Sequence, residues 1–69
     1  MATFSERLQE LKVSRGVMQK DVAAAIDVPL RTYQRYEYGE REPQLSTLVK
    51  MADFYGVTLD YLAGRSDTP

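Results

Sequence analysis

The stretch from Gln19 to Glu37 constrains this chain more than any other. It reads Gln-Lys-Asp-Val-Ala-Ala-Ala-Ile-Asp-Val-Pro-Leu-Arg-Thr-Tyr-Gln-Arg-Tyr-Glu. Two short helical patterns lie back to back, joined by a bend of about three or four residues. Counted from Gln19, apolar residues fall at the fourth, eighth, tenth, fifteenth and eighteenth positions: Val22, Ile26, Val28, Tyr33 and Tyr36. The fifth is Ala23, where the bend brings the helices together and a larger side chain would push them apart. This spacing alone also fits an ordinary helical hairpin with a packed core.

A chain of 69 residues has room for one small domain and leaves much of its apolar surface exposed. With no cysteine, neither a disulfide framework nor a thiolate metal site can add stability. The chain also lacks histidine, the commonest general base and metal ligand. Without a Gly-rich phosphate loop or a carboxylate pair placed in a cleft, an enzyme is a poor reading. No cofactor, metal or small-molecule substrate is expected. No apolar run approaches a membrane span and no signal-peptide pattern opens the chain, so the expected compartment is the cytoplasm.

The net charge of −1 is unusual for a nucleic-acid binder, but the distribution is uneven. Pro29 to Tyr36 carries Arg31 and Arg35 and no acid. From Lys50 onward, Asp53, Asp60 and Asp67 stand against Lys50 and Arg65. Such a chain is expected to bind nucleic acid weakly without sequence preference, depending instead on shape and base contacts.

Five helical segments are readable and no strand alternation is convincing, so the expected fold class is all-α. Thr3 with Glu6 predicts a capping box, and Phe4, Leu8 and Leu11 share one helical face. Gly16 ends this helix, with Arg15 set against its C-terminal dipole. The second helix runs from about Met18 to Ile26, with Val22, Ala23 and Ile26 inward. The third runs from about Pro29 to Tyr38 and ends at Gly39, since proline is tolerated in a first turn. Glu40-Arg41-Glu42-Pro43 is a polar connection. A fourth helix is expected over Gln44–Tyr55 with Leu45, Leu48, Val49 and Ala52 inward and Gly56 as its cap. Thr58 caps a short fifth helix in which Leu59 and Leu62 turn inward. The expected domain covers residues 1–64, and Arg65–Pro69 is a polar tail.

Gln19, Val22, Ala23, Ile26, Val28, Tyr36-Glu37, Gly39, Arg41, Pro43, Leu48, Ala52, Gly56-Val57 and Leu59-Asp60-Tyr61-Leu62 together resemble a known family. It is the Cro/cI-type, or XRE, helix-turn-helix domain of phage repressors and bacterial regulators. The resemblance runs from about Phe4 to Ala63. The Glu-x-Gly-x-Arg-x-Pro run and the Gly-Val-x-Leu-Asp-Tyr-Leu ending make it specific. It implies a compact five-helix bundle, the lambda-repressor-like DNA-binding fold. It also implies a sequence-specific DNA-binding transcriptional regulator, most often a repressor, encoded by a bacterium or a phage.

By position, the resemblance gives Leu30, Arg31, Gln34 and Arg35 to the major groove. Arg31 and Arg35 are four residues apart on one helical face, and arginine pairs with guanine in bidentate fashion. Gln34 suits adenine. Leu30 stands where a polar residue is frequent and suits a thymine methyl or simple exposure. Gln19 matches the residue that opens the first motif helix on a phosphate. Thr32 suits a phosphate or a thymine methyl, and Tyr38, Arg41 and Gln44 match the region that tracks the backbone. Lys12 and Glu37 match a structural ion pair linking the first helix to the end of the reading helix. Phe54, Tyr55, Leu59 and Tyr61 are the candidates for a homodimer contact, with core packing as their alternative. The implied target is a palindromic operator in double-stranded DNA.

Three departures stand out. Asp27 replaces the glycine usual in the bend, a position that often needs a positive φ. Met18 and Pro29 replace the usual Ser/Thr caps, so each helix loses a side-chain cap bond. The rival function is a protein–protein interaction module, such as an antitoxin-like partner-binding protein, which the net charge leaves open.

Overall fold

Each helix begins and ends where local chemistry stops the backbone. The structure, a computed structural model, describes residues 3–69; the expected domain start at residue 1 lies outside them. Five helices follow in order: α1 (Phe4–Arg15), α2 (Gln19–Ala25), α3 (Leu30–Glu37), α4 (Leu45–Tyr55) and α5 (Leu59–Leu62). The fold is all-α, with α1 packed on α3 and α5, α2 on α3 and α4, and α4 on α5.

The predicted capping box at α1 forms: Glu6 N–H donates to the Thr3 hydroxyl and Thr3 N–H to the Glu6 carboxylate. Gly16 and Gly56 close α1 and α4 in the left-handed conformation, at φ 66° and 68°. Thr58 caps α5 by accepting from Tyr61 N–H. Neither Met18 nor Pro29 supplies a side-chain cap bond. At α2, however, Met18 N–H donates to Asp21 Oδ2 at 3.2 Å, so the acid in the third helical position supplies half of a capping box.

Asp27 lies at φ 62° and is the single non-glycine residue with positive φ among those described. Asp27 therefore adopts the positive φ that the resemblance leads one to expect at this bend. The left-handed region costs an L-residue roughly 1 kcal/mol, less for aspartate than for most, and glycine avoids it. Asp27→Gly is expected to raise the melting temperature by about 2–5 °C. Thermal unfolding of the two proteins side by side decides this, and a lower melting temperature for the variant contradicts it.

Leu8, Leu11, Val22, Ala23, Ile26, Tyr33, Tyr36, Met51, Ala52, Tyr55 and Leu62 form the core. In α4 the inward face differs from the expected one. Leu45 is 69% exposed and Val49 also lies outside, while Met51 and Tyr55 are buried with Ala52. The stripe 45-48-49-52 is replaced by 48-51-52-55, which has the same spacing and begins three residues later. Both stripes are apolar, and packing against α2 and α5 selects the second. In α5, Leu62 is buried but Leu59, expected to turn inward with it, is 38% exposed at the first position of the helix.

Side chains of α1 tie the other helices to it. Gln9 donates to the Glu37 carbonyl at the end of α3, and Arg15 to the Tyr55 carbonyl at the end of α4, both at 2.9 Å. Arg15, in the last turn of α1 as expected, thus also serves another helix's C-terminus. Arg7 is buried, with its guanidinium 4.1 Å from the Tyr61 ring centroid. It donates to Asp67 Oδ1 at 2.7 Å and to the Ser66 carbonyl at 3.3 Å, so residues 66 and 67 of the polar tail lie on α1.

Candidate nucleic-acid interface

The eight residues of α3 divide sharply by face. Tyr33, Tyr36 and Glu37 are buried. At 100° per residue, Arg31, Arg35 and Tyr38 lie opposite them, with Gln34 at one edge and Thr32 at the other. Arg31, Arg35 and Tyr38 are exposed, and Gln34 and Thr32 half-buried. Neither arginine forms an ion pair among the described residues, whose three salt bridges join Arg7 to Glu10, Arg7 to Asp67 and Lys12 to Glu37. Asp27 and Glu40, the nearest acids in sequence, form no ion pair with either arginine among the described residues. An eight-residue helix is about 12 Å long, close to the roughly 12 Å width of the DNA major groove.

The other expected residues lie around this face. Gln19 opens α2 and is half-buried. Leu30, in the first turn of α3, is 43% exposed. It lines a shallow groove of about 410 Å³ together with Lys12, Val17, Met18, Gln19 and Lys20. Arg41 is exposed in the connection after α3. Gln44 precedes α4 in an extended conformation and makes no side-chain cap bond, so the first N–H groups of α4 have no side-chain cap there.

Behind α3 is a line of hydrogen bonds. Lys12 Nζ and Glu37 Oε1 are 2.8 Å apart, with the Glu37 side chain 4% and that of Lys12 22% exposed, so the expected ion pair is present and mostly buried. Gln19 Nε2 donates to the same carboxylate oxygen at 3.3 Å, and Gln34 Nε2 donates to Gln19 Oε1 at 3.1 Å. Nothing in the sequence pairs Gln19 with Gln34, since the contact is made only when α2 and α3 pack. Tyr33 Oη, Tyr55 Oη and Glu37 Oε2 are buried without a direct hydrogen bond.

Burial pushes the Glu37 carboxyl up, but Lys12, the Tyr33 hydroxyl dipole and Gln19 outweigh it and hold it below the ordinary range. Burial also pushes the Tyr55 phenol up to about 12, and the Tyr33 phenol higher still. A carboxyl whose folded pKa is depressed stabilises the fold above its unfolded value, and that stability is lost as pH falls through the folded pKa. The melting temperature is therefore expected to fall as pH drops below 4.5, the ordinary value for a glutamate carboxyl. In Glu37→Gln this part of the decline should be absent. Melting curves from pH 7 to pH 2.5 check it, and the same acid decline in both proteins would contradict it.

Of the dimer candidates, Tyr55 is corrected: it is 4% exposed, its ring held in the core edge-on to Phe54 at 5.0 Å. Phe54 and Leu59 are exposed, at 39% and 38%, and Tyr61 is half-buried under Arg7.

The family model for helix-turn-helix proteins matches residues 8–62. This chain belongs to the helix-turn-helix family. A transcriptional repressor, RstR, of a cryptic CTXphi phage in Vibrio cholerae is 42% identical over 94% of this chain and 59% of its own length. The Bacillus subtilis transcriptional regulator ImmR is 31% identical over 94% of this chain and 51% of its own. The helix-turn-helix chain thus spans little more than half the length of such curated relatives. Among solved structures, a transcriptional regulator from Listeria innocua superposes with a TM-score of 0.85 at 31% identity, over 90% of this chain and 58% of that one. The DNA-binding domain of the P22 c2 repressor shares the fold, with a TM-score of 0.87 at 19% identity over 99% of this chain and 88% of that one. The five-helix fold expected from the XRE resemblance is the one observed. No helix is long and apolar enough to cross a membrane among the described residues.

Proposed function

We propose that this helix-turn-helix chain is the DNA-reading unit, extending to about residue 64, of a sequence-specific transcriptional repressor. The observation that carries the proposal is the outward face of α3, where Arg31 and Arg35 stand exposed and unpaired among the described residues. In this reading α3 enters the major groove, with Arg31, Gln34 and Arg35 on base edges and Leu30 near a thymine methyl. Gln19, Thr32, Tyr38, Arg41 and Gln44 lie against phosphates. The names of relatives, a phage transcriptional repressor among them, support repression over activation.

One such unit buries only about 600–1,000 Å² on DNA. It therefore acts as a twofold dimer on a palindromic site with half-sites about 34 Å apart. Exposed Phe54 and Leu59, with Tyr61 beside them, are the proposed dimer contact. The protein works in the cytoplasm, where DNA is, and carries out no chemistry on it.

The test is fluorescence anisotropy against a genomic DNA pool at two salt concentrations. Competable specific binding that weakens steeply as salt rises supports the proposal. No specific binding at low salt, together with a tight protein partner, would instead support an interaction module, which the net charge of −1 leaves open.

A further inference from the structure

The shallow groove between the first turns of α2 and α3 is lined by two lysines and no acid. The two are not equivalent. Lys12 is held by Glu37 at 2.8 Å, and their charges cancel. Lys20 is exposed and forms no ion pair among the described residues. The acid next to it, Asp21, turns its carboxylate to Met18 N–H at 3.2 Å. Gln19 is neutral, and its side-chain NH2 already donates to Glu37. The uncompensated charge of this groove is therefore that of Lys20.

Resting on the reading of α3 as the groove helix, we infer that Lys20 is the cation that holds the DNA backbone at the groove it shares with Gln19 and Leu30. In that reading Gln19 stands at a phosphate and Leu30 at a base, so the backbone passes over the groove that joins them. Met18 and Leu30, which also line it, are 61% and 43% exposed. A duplex that covers them displaces water, and a charge contact made beside them is then less screened. The ammonium of a lysine is a point charge that meets a phosphate without choosing a base. Lys20 thus supplies affinity and salt dependence, while sequence preference stays with α3.

Lys20→Met, Lys20→Arg and Lys50→Met, titrated with a duplex selected by the unmodified protein at about 50 and 200 mM salt, test this. Lys50 is exposed on α4 and does not line the groove, so its loss removes the same charge elsewhere. Both lysines are exposed, so all three variants should fold. One lost phosphate contact lowers the salt slope by about 0.9, so across that range the unmodified protein should lose about 3.5-fold more affinity than Lys20→Met. Lys20→Arg and Lys50→Met should keep the original slope, and selection with Lys20→Met should return the original site. An unchanged slope for Lys20→Met, or an equal fall for Lys50→Met, overturns the inference and leaves the reading of α3 standing. A changed base preference in Lys20→Met makes Lys20 a base contact and overturns it as well. A selection in which the unmodified protein enriches nothing removes the reading of α3, and the inference with it.

Discussion

Lys12→Ala is expected to destabilise the protein by about 3 kcal/mol, the lower end of the range for breaking a buried ion pair. Glu37 is the reason. Its side chain is 4% exposed, its Oε2 has no direct partner, and without Lys12 the one side-chain hydrogen bond left to it among the described residues comes from Gln19. The partial exposure of Lys12 keeps the effect from being larger. In a domain this small each kcal/mol moves the melting temperature by roughly 4–8 °C, so a fall of about 12–24 °C is expected. The pair itself adds little net stability, because both ions are desolvated to form it. Lys12→Met with Glu37→Leu should therefore recover most of the loss. Its value is geometric: it joins α1 to the last turn of α3, beside the bond from Gln9 to the Glu37 carbonyl, and so fixes the angle of α3. Thermal melting of the single and double variants measures both effects. A Lys12→Ala protein melting within a degree or two of the original would mean that solvent already screens the pair.

Removing both outward arginines should have the opposite signature. Arg31→Ala with Arg35→Ala is expected to reduce specific DNA affinity by about 100-fold or more, from about 1–3 kcal/mol for each lost base contact. Stability should hardly change, because both side chains are exposed and form no ion pair among the described residues. Each single variant should relax the base preference at one position and leave the others alone. Titration of a selected duplex together with thermal melting separates the two readouts. Equal losses on all sequences would make these arginines phosphate contacts and move base reading elsewhere.

What was legible in the sequence is mostly local. The Thr3–Glu6 box, the closures at Gly16 and Gly56 and the left-handed Asp27 each depend on residues within a few positions of one another. So does the buried stripe Val22-Ala23-Ile26. The outward set on α3 was legible too, because two buried tyrosines fix the phase of a short helix. In α4, Leu45 and Val49 compete with Met51 and Tyr55 for the inside, and helical period alone does not choose between two apolar stripes. The same contest placed Tyr55 in the core instead of at a dimer contact. Contacts between distant side chains were not legible at all. Gln9 and Arg15 close helix ends 28 and 40 residues away, and Gln19 meets Gln34 only because α2 and α3 pack. Buried Arg7 is the clearest case, since a charged residue between Glu6 and Leu8 gives no hint that it will lie over the Tyr61 ring.

The proposed function requires the exposed face of α3 to read base sequence in duplex DNA. Selection of bound duplexes from a random library tests it most directly, run in parallel with the unmodified protein and with Arg35→Ala. The expected result is an enriched site with twofold symmetry, in which Arg35→Ala loses one preferred base in each half. The contradicting result is no enrichment, or the same enriched site for both proteins.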